Sequence, residues 1–323
     1  MKKITKDKWI HFSLFLLLAL LWSGSFINIK IVVDVLPPIF CALIRVLVSL
    51  ICLTLIYLSM GKKILAPTWG YWRVWLAGLF NQALPFAFLF FGEKFIAPGL
   101  ASIINSTVSI WSLLLGTLIF FDFSQWTANK VAGIALGFCG IVLIFSPFIH
   151  GNENSLLGIF AVTGMAIFYA IGSLINQHVI FKRMTVNFET NLIQQHISSI
   201  LFLVVSSLTL ESWPSLMSLL TPKLLFSFLY LGLVATAISW NIYFYLIKKW
   251  GAVRATSVMY LVPMLAVTWD LLFLHIEPSK NELLGMGAIL IGVTLIQWTS
   301  KKEVFSNPST TDLDKAKKLN AKS

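Results

Sequence analysis

Apolar runs of about 20 residues, long enough to cross a hydrocarbon core ~30 Å thick, recur along the whole chain between short polar breaks. They predict ten helical spans, at 11–33, 38–59, 70–92, 97–120, 130–148, 156–178, 190–209, 224–246, 252–275 and 281–299. Most are apolar on every side, with small residues interspersed, as in helices that pack inside a bilayer. The breaks carry turn chemistry: Pro37-Pro38, Gly61-Lys62-Lys63, Gly151-Asn152-Glu153-Asn154, and Trp213-Pro214 with Pro222. All are too short to hold a soluble catalytic domain.

The pattern is written twice. Gly133-x6-Gly140 matches Gly285-x6-Gly292 at an offset of 152. Upstream, at an offset of 154, Gly78, Phe86, Lys94, Ala101 and Ser109 stand opposite Gly232, Trp240, Lys248, Ala255 and Pro263. Trp22 to Ile29 in the first span looks like Tyr169 to Asn176 in the sixth. The chain therefore divides into five-helix repeats at 11–148 and 156–299, followed by a polar, Lys-rich tail at 300–323 expected to be disordered and cytoplasmic.

Composition agrees with the spans. Of 323 residues, 58% are hydrophobic and 11% charged, where a soluble protein uses about 25% charged residues. An all-α membrane protein follows. The formal charge of +11 sits in breaks and tails, which points to insertion orientation rather than nucleic acid. With both termini inside, 19 Lys and Arg fall on the cytoplasmic side, and outer loops hold Lys94, Lys223 and Lys280. Five spans per half then make the repeats inverted. Lys2, Lys3, Lys6 and Lys8 resemble the start of a signal peptide, but the apolar run behind them is too long, so the first span is read as part of the mature protein. Cys41, Cys52 and Cys139 lack metal-site spacing and read as packing residues.

Polar side chains inside the spans fall into stripes. Ser102, Asn105, Ser106 and Ser109 share one face of span four, and Thr256, Tyr260, Pro263 and Asp270 lie along span nine. Trp22 and Ser25, then Tyr169, Gly172, Ser173 and Asn176, repeat the theme in spans one and six. Asn81, Gln82 and Pro85 follow Gly78 in span three, and Thr236, Ser239, Trp240 and Tyr243 lie in span eight. One small polar residue is ordinarily a packing device, but six helices carrying such stripes point to a polar cavity. Ionisable groups are costly at this depth. Arg45 and Asp270 lie at similar depths, roughly 10 and 8 Å at 1.5 Å per residue, and are candidate partners. Lys30 reads equally as a snorkelling side chain. His196, beside Gln194 and Gln195, is either a hydrogen-bonded structural residue or a proton carrier. Glu93, Lys94, Glu277 and Lys280 read as solvated outer-loop charges.

These residues resemble the EamA-type exporters of the drug/metabolite transporter superfamily over about 12–299. The resemblance is carried by Leu21-Trp22-Ser23-Gly24-Ser25-Phe26 with Lys30, Pro37-Pro38 and Arg45, and in the second half by Gly251-Ala252-Val253-Arg254-Ala255, Tyr260-Leu261-Val262-Pro263 and Gly285-x6-Gly292. Three positions depart from the family pattern. Ser109 ends a stretch that the family usually closes with Pro, Asp122 replaces its Glu, and Asp270 interrupts a usually apolar segment.

The resemblance implies a secondary exporter of small metabolites, with amino acids or related amphipathic compounds as the expected substrates, in the bacterial inner membrane. Transport would proceed by alternating access around a site where the repeats meet. The expected substrate-binding residues are Trp22, Ser25, Arg45, Asn81, Gln82, Asn105, Tyr169, Asn176, Trp240, Tyr260 and Asp270. No cofactor and no metal are expected, and the partners are the metabolite and membrane lipid. The alternative class is an integral membrane enzyme acting on lipid or isoprenoid substrates, but HExxH, GxSxG and paired-carboxylate motifs are missing from the chain.

Overall fold

A computed structural model describes residues 2–62, 64, 71–120, 127–145, 153–176, 187–215, 221–250 and 257–298; side chains at 2–8, 71, 120, 145, 153–154, 244, 247–250, 257, 260 and 296–298 fall outside the description. The features expected at Lys63, Asp122, Gly151-Asn152, Lys182-Arg183, Gly251 to Thr256 and the tail from Ser300 lie outside the described residues.

Every regular element among the described residues is helical. The helices are α1 (Lys2–Val33), α2 (Pro38–Ser59), α3 (Tyr71–Gly78), α4 (Leu84–Glu93), α5 (Pro98–Asn105), α6 (Val108–Phe120) and α7 (Ala128–Phe145). They continue with α8 (Glu153–Ile175), α9 (Phe188–Leu210), α10 (Pro222–Leu229), α11 (Ser239–Trp250), α12 (Leu261–Trp269) and α13 (Lys280–Trp298). By length and hydropathy, seven described segments can cross a membrane: Trp9–Val33, Pro38–Ser59, Trp72–Glu93, Pro98–Ile119, Ser155–Ile175, Phe188–Leu210 and Pro222–Tyr243. Ala128–Ile144 and Leu261–Leu274 are shorter apolar helices. α2, α5 and α10 all begin with proline, whose missing N–H has no partner to lose in a first turn.

Several spans that read as continuous helix are interrupted, and the interruptions have local causes. α3 passes into α4 through a π-helical turn, Leu79–Ala83. Pro85 cannot donate to the carbonyl of Asn81, and the widened turn just before it absorbs the mismatch. A second π-helical stretch, Tyr230–Ile238, joins α10 to α11. There the hydroxyls of Thr236 and Ser239 donate to the carbonyls of Leu231 and Val234, both at 2.7 Å. α5 and α6 are separated at Ser106-Thr107, whose hydroxyls donate to Ile103 O and Ile104 O at 2.6 Å and offer the backbone an alternative to the helix ladder. A 3-10 turn at Ser257–Tyr260 leads into α12, which leaves through a π-turn at Asp270–Leu274. His275 closes that turn in the left-handed conformation, φ 55°.

The packing is that of a membrane bundle. The core gathers Phe26, Ile29, Val46, Phe86, Phe90, Ile104 and Met165, while large apolar side chains such as Ile51, Leu55, Phe160, Leu208 and Phe226 face outward. In lipid, helices associate by close packing of small residues. A Cβ built on Gly140 would lie 2.7 Å from Gly285 O, and one on Gly285 would lie 2.8 Å from Gly140 O. Gly292 meets Gly133 O in the same way. The first glycine of each Gly-x6-Gly pair thus faces the last of the other, so α7 and α13 run antiparallel with their backbones in contact. Gly78 is pressed against the backbone of Gln195 in α9, and Gly232 against Val48 and Ser49 in α2.

Candidate functional site

Arg45 projects from α2 into the bundle and is buried, with 5% of its surface exposed. Its Nε donates to Thr236 Oγ1 at 3.1 Å, in the second π-helical stretch. The guanidinium carbon sits 4.2 Å from the ring centre of Phe86 and 6.0 Å from that of Phe90, a desolvated cation–π arrangement. Phe86 in turn meets Tyr169 edge-on, with centroids 6.4 Å apart. Among the described residues, no acceptor lies on the two terminal guanidinium nitrogens. A second aromatic group joins α1 to α11: Trp22 lies 6.4 Å from Trp240 and 5.3 Å from Tyr243. Asn105 sits half-buried on the last residue of α5, without a hydrogen bond among the described residues.

A polar network stitches α3 and its π-turn to α2, α8 and α9. His196 is fully buried, its Nε2 3.0 Å from Ser49 Oγ and its Nδ1 2.8 Å from Leu192 O and 3.3 Å from Gln82 Nε2. Asn81 donates to Gln195 Oε1 at 3.3 Å, and Gln195 donates to Asn176 at 2.9 Å and Asn191 at 3.1 Å. Ser199 donates to Gly78 O at 3.0 Å. With both ring nitrogens engaged, His196 holds helices together.

The end of the bundle where α4 passes to α5 carries a cluster of charges. Asp270 Oδ2 accepts from Gly99 N at 2.6 Å, capping the first turn of α5 from a distant helix. Glu211 does the same for α2, accepting from Ile39 N and Phe40 N at 2.8 Å. Lys30 pairs with Asp34 at 2.9 Å and donates to Glu93 O at 3.0 Å, so its ammonium ties α1 to the end of α4. Asp270→Ala is expected to lose about 1 kcal/mol of stability, whereas Asp270→Asn, which keeps an acceptor for Gly99, retains most of it. Thermal unfolding of the purified variants in mild detergent checks the order.

The model of the EamA-like transporter family matches residues 9–146 and again 156–298. The chain belongs to that family. Two relatives named probable amino-acid metabolite efflux pumps are similar to this EamA-like chain: one from Escherichia coli K12, 25% identical over 90% of this chain and 97% of its own, and one from Salmonella typhimurium LT2, 27% identical over 86% and 91%. The uncharacterized transporter YvbV of Bacillus subtilis is 25% identical over 94% of this chain and 96% of its own. A solved crystal structure covers 90% of this chain and 96% of its own with a TM-score of 0.60 at 16% identity, a likeness of fold alone. The family and these relatives are transporters rather than enzymes, and the EamA-like chain is a multi-pass membrane protein.

Within this EamA-like bundle, the expected residues separate into two groups. Trp22, Arg45, Tyr169 and Trp240 lie in the aromatic groups just described, and Asn105 has no hydrogen bond among the described residues. Asn81, Gln82 and Asn176 have hydrogen bonds to α9 instead, and Ser25 donates to Trp22 O at 2.6 Å. The side chain of Tyr260 lies outside the described residues. Two expectations are corrected. Arg45 and Asp270 do not form an ion pair: each is held by a different helix, Arg45 by Thr236 and Asp270 by Gly99. Glu93 is not a solvated loop charge: it closes α4 and has 0% exposure. The neighbouring Lys94 is exposed, so the charged pair reads as a loop although only its second member reaches the surface. The signal for burial was the unbroken apolar run that ends on Glu93.

Proposed function

We propose that this EamA-family transporter exports amino acids or closely related amphipathic metabolites, and that Arg45 receives the carboxylate of the solute. One observation carries the reading. A buried guanidinium is held at Nε by Thr236 and flanked by Phe86, while its two terminal nitrogens have no acceptor among the described residues. That planar pair of donors matches a carboxylate in bidentate fashion. Trp22, Trp240 and Tyr243 offer apolar contact, and Asn105 offers an amide. The names of the two efflux-pump relatives support an amino-acid substrate.

The architecture proposed for this activity is ten spans in two inverted repeats, 11–148 and 156–299. Supporting it, the π-helical turns at 79–83 and 230–238 fall at positions related by the offset of 154, as do the helix breaks at Ser106-Thr107 and Tyr260-Leu261. Such breaks leave backbone groups and side chains facing the middle of a transporter, around which one repeat rocks against the other. Both termini are assigned to the cytoplasm of a bacterial inner membrane.

Counterflow in proteoliposomes across an amino-acid panel tests the function. Transport of at least one amino acid is expected, with Asn105→Leu slowing it while membrane insertion stays intact, because insertion follows hydrophobicity and flanking charge. Wild-type protein that moves no member of the panel would sink the substrate assignment. For orientation, an impermeant maleimide is expected to label Asn152→Cys from outside and Ser300→Cys only from inside; labelling of both from one side would exclude it.

A further inference from the structure

We propose that Glu93 is a proton-binding site of this transporter, neutral while the Glu93 end of the bundle is closed and ionised when that end opens. The inference rests on the alternating-access reading above, but nothing in that reading assigns the residue a role. Glu93 is completely buried, and among the described residues neither carboxylate oxygen has a hydrogen-bond partner. Asp270, 4% exposed, likewise leaves Oδ1 without a partner among the described residues. An ionised carboxylate removed from water and given no donor is among the most costly arrangements in a protein, and more so inside a membrane. As the neutral acid, the same side chain tolerates its surroundings.

Asp270 from the π-turn after α12, Lys30 and Asp34 at the end of α1, and Arg45 from α2 are the charges that act on Glu93. Lys30 is engaged by Asp34 and by the backbone carbonyl of Glu93, and Arg45 by Thr236 and the face of Phe86. From α8, Tyr169 acts on Arg45 rather than on Glu93, and Glu282 of α13 acts on Asp270. With both cations bonded elsewhere, neither supplies the donor that an ionised Glu93 carboxylate would need.

The coupling follows from where Glu93 sits. The bond from Gly99 N to Asp270 Oδ2 fastens α5 to the helix carrying Asp270, and Lys30 fastens α1 to Glu93 O. When α5 separates from α12, water reaches the Glu93 carboxyl and the proton leaves to it as hydronium. Closing that end again requires a proton to return. Each opening then releases one proton and each closing takes one back on that side, so the exchange gates that end with no net proton movement and no redox or covalent step. Low pH favours the closed end and high pH the open one.

Ser102 is an isosteric place to read the opening. It is fully buried and lies one turn below Gly99, which packs on Val267 and Asp270. In a background where Cys41, Cys52 and Cys139 are replaced by alanine, Ser102→Cys in proteoliposomes would be reacted with an impermeant maleimide, its rate divided by that of the exposed Lys94→Cys to remove the thiol's own pH dependence. The ratio is expected to rise about fivefold or more between about pH 5.5 and about pH 8.5, a shift of population toward the open end. Glu93→Gln should hold it low and flat, and Glu93→Asp should restore a pH-dependent rise. A rise undiminished in Glu93→Gln, a flat Glu93→Asp, or a flat wild type that still performs counterflow would overturn the proposal. So would a ratio set by exchanging sodium for choline at constant pH, which would make the bound cation a metal ion. Loss of counterflow by wild type alone would instead count against the transport reading.

Discussion

Gly140→Leu is expected to keep α7 and α13 from docking and to leave little monodisperse protein after extraction. The new Cβ would fall 2.7 Å from the carbonyl oxygen of Gly285 and 3.1 Å from the backbone nitrogen of Ile289. These are main-chain atoms of a helix, so no rotamer change relieves the contact and the two axes must separate. Separation costs the reciprocal contacts at Gly285 and Gly292 as well, in a solvent where apolar burial gives no compensating attraction between helices. Overpacking costs about 1–3 kcal/mol in ordinary cores, occasionally more, and a backbone-to-backbone site belongs at the upper end. Gly287→Leu is the matched control, since a Cβ there meets nothing within 4 Å. Size-exclusion profiles and thermal midpoints in mild detergent measure both. Equal behaviour of the two variants would refute the close crossing.

Arg45→Met is expected to lower transport about 100-fold while the protein still inserts and folds. Hydrogen bonds to a charged group are each worth about 1.5–3 kcal/mol, so losing a bidentate pair to the solute carboxylate accounts for a factor of that size. Folding tolerates the change for a structural reason: Thr236, relieved of Arg45, still donates its hydroxyl to Leu231 O. The thioether also continues to pack on Phe86. Arg45→Lys is not expected to rescue, because an ammonium cannot donate to Thr236 and present a flat pair of donors at once. Counterflow of an amino acid moved by the wild-type protein checks both variants. Undiminished rates in Arg45→Met would move the carboxylate site elsewhere.

Much of the fold is legible one residue at a time. The helix at Pro38–Ser59 follows from an apolar run behind Pro37-Pro38, and Phe188–Leu210 from a run bounded by Asn187 and Glu211. Gly133, Gly140, Gly285 and Gly292 were visible as matched pairs, and their contact across α7 and α13 agrees with their spacing. The interruptions were less legible. Pro85 and Ser106-Thr107 are marked in sequence, but a single π-turn inserts about one extra residue, too little to show in the pattern of apolar positions. The polar stripes were visible as stripes, yet a stripe does not say whom it faces. Asn81 and Gln82 turned to α9, and Asn105 did not.

What the chain alone determines is therefore set by short-range physics. A run of apolar residues must satisfy its own backbone in a bilayer and so becomes a helix, and flanking lysines set its expected orientation. Tertiary structure decides the charges. Whether Glu93 meets water or the inside of the bundle, and whether Asp270 pairs with Arg45 or caps α5, depends on which helices lie beside them. Those neighbours are brought close by packing over 171 positions of sequence in the case of Gly99 and Asp270. The energy of a buried charge is a property of that assembled surrounding, and the local sequence does not contain it.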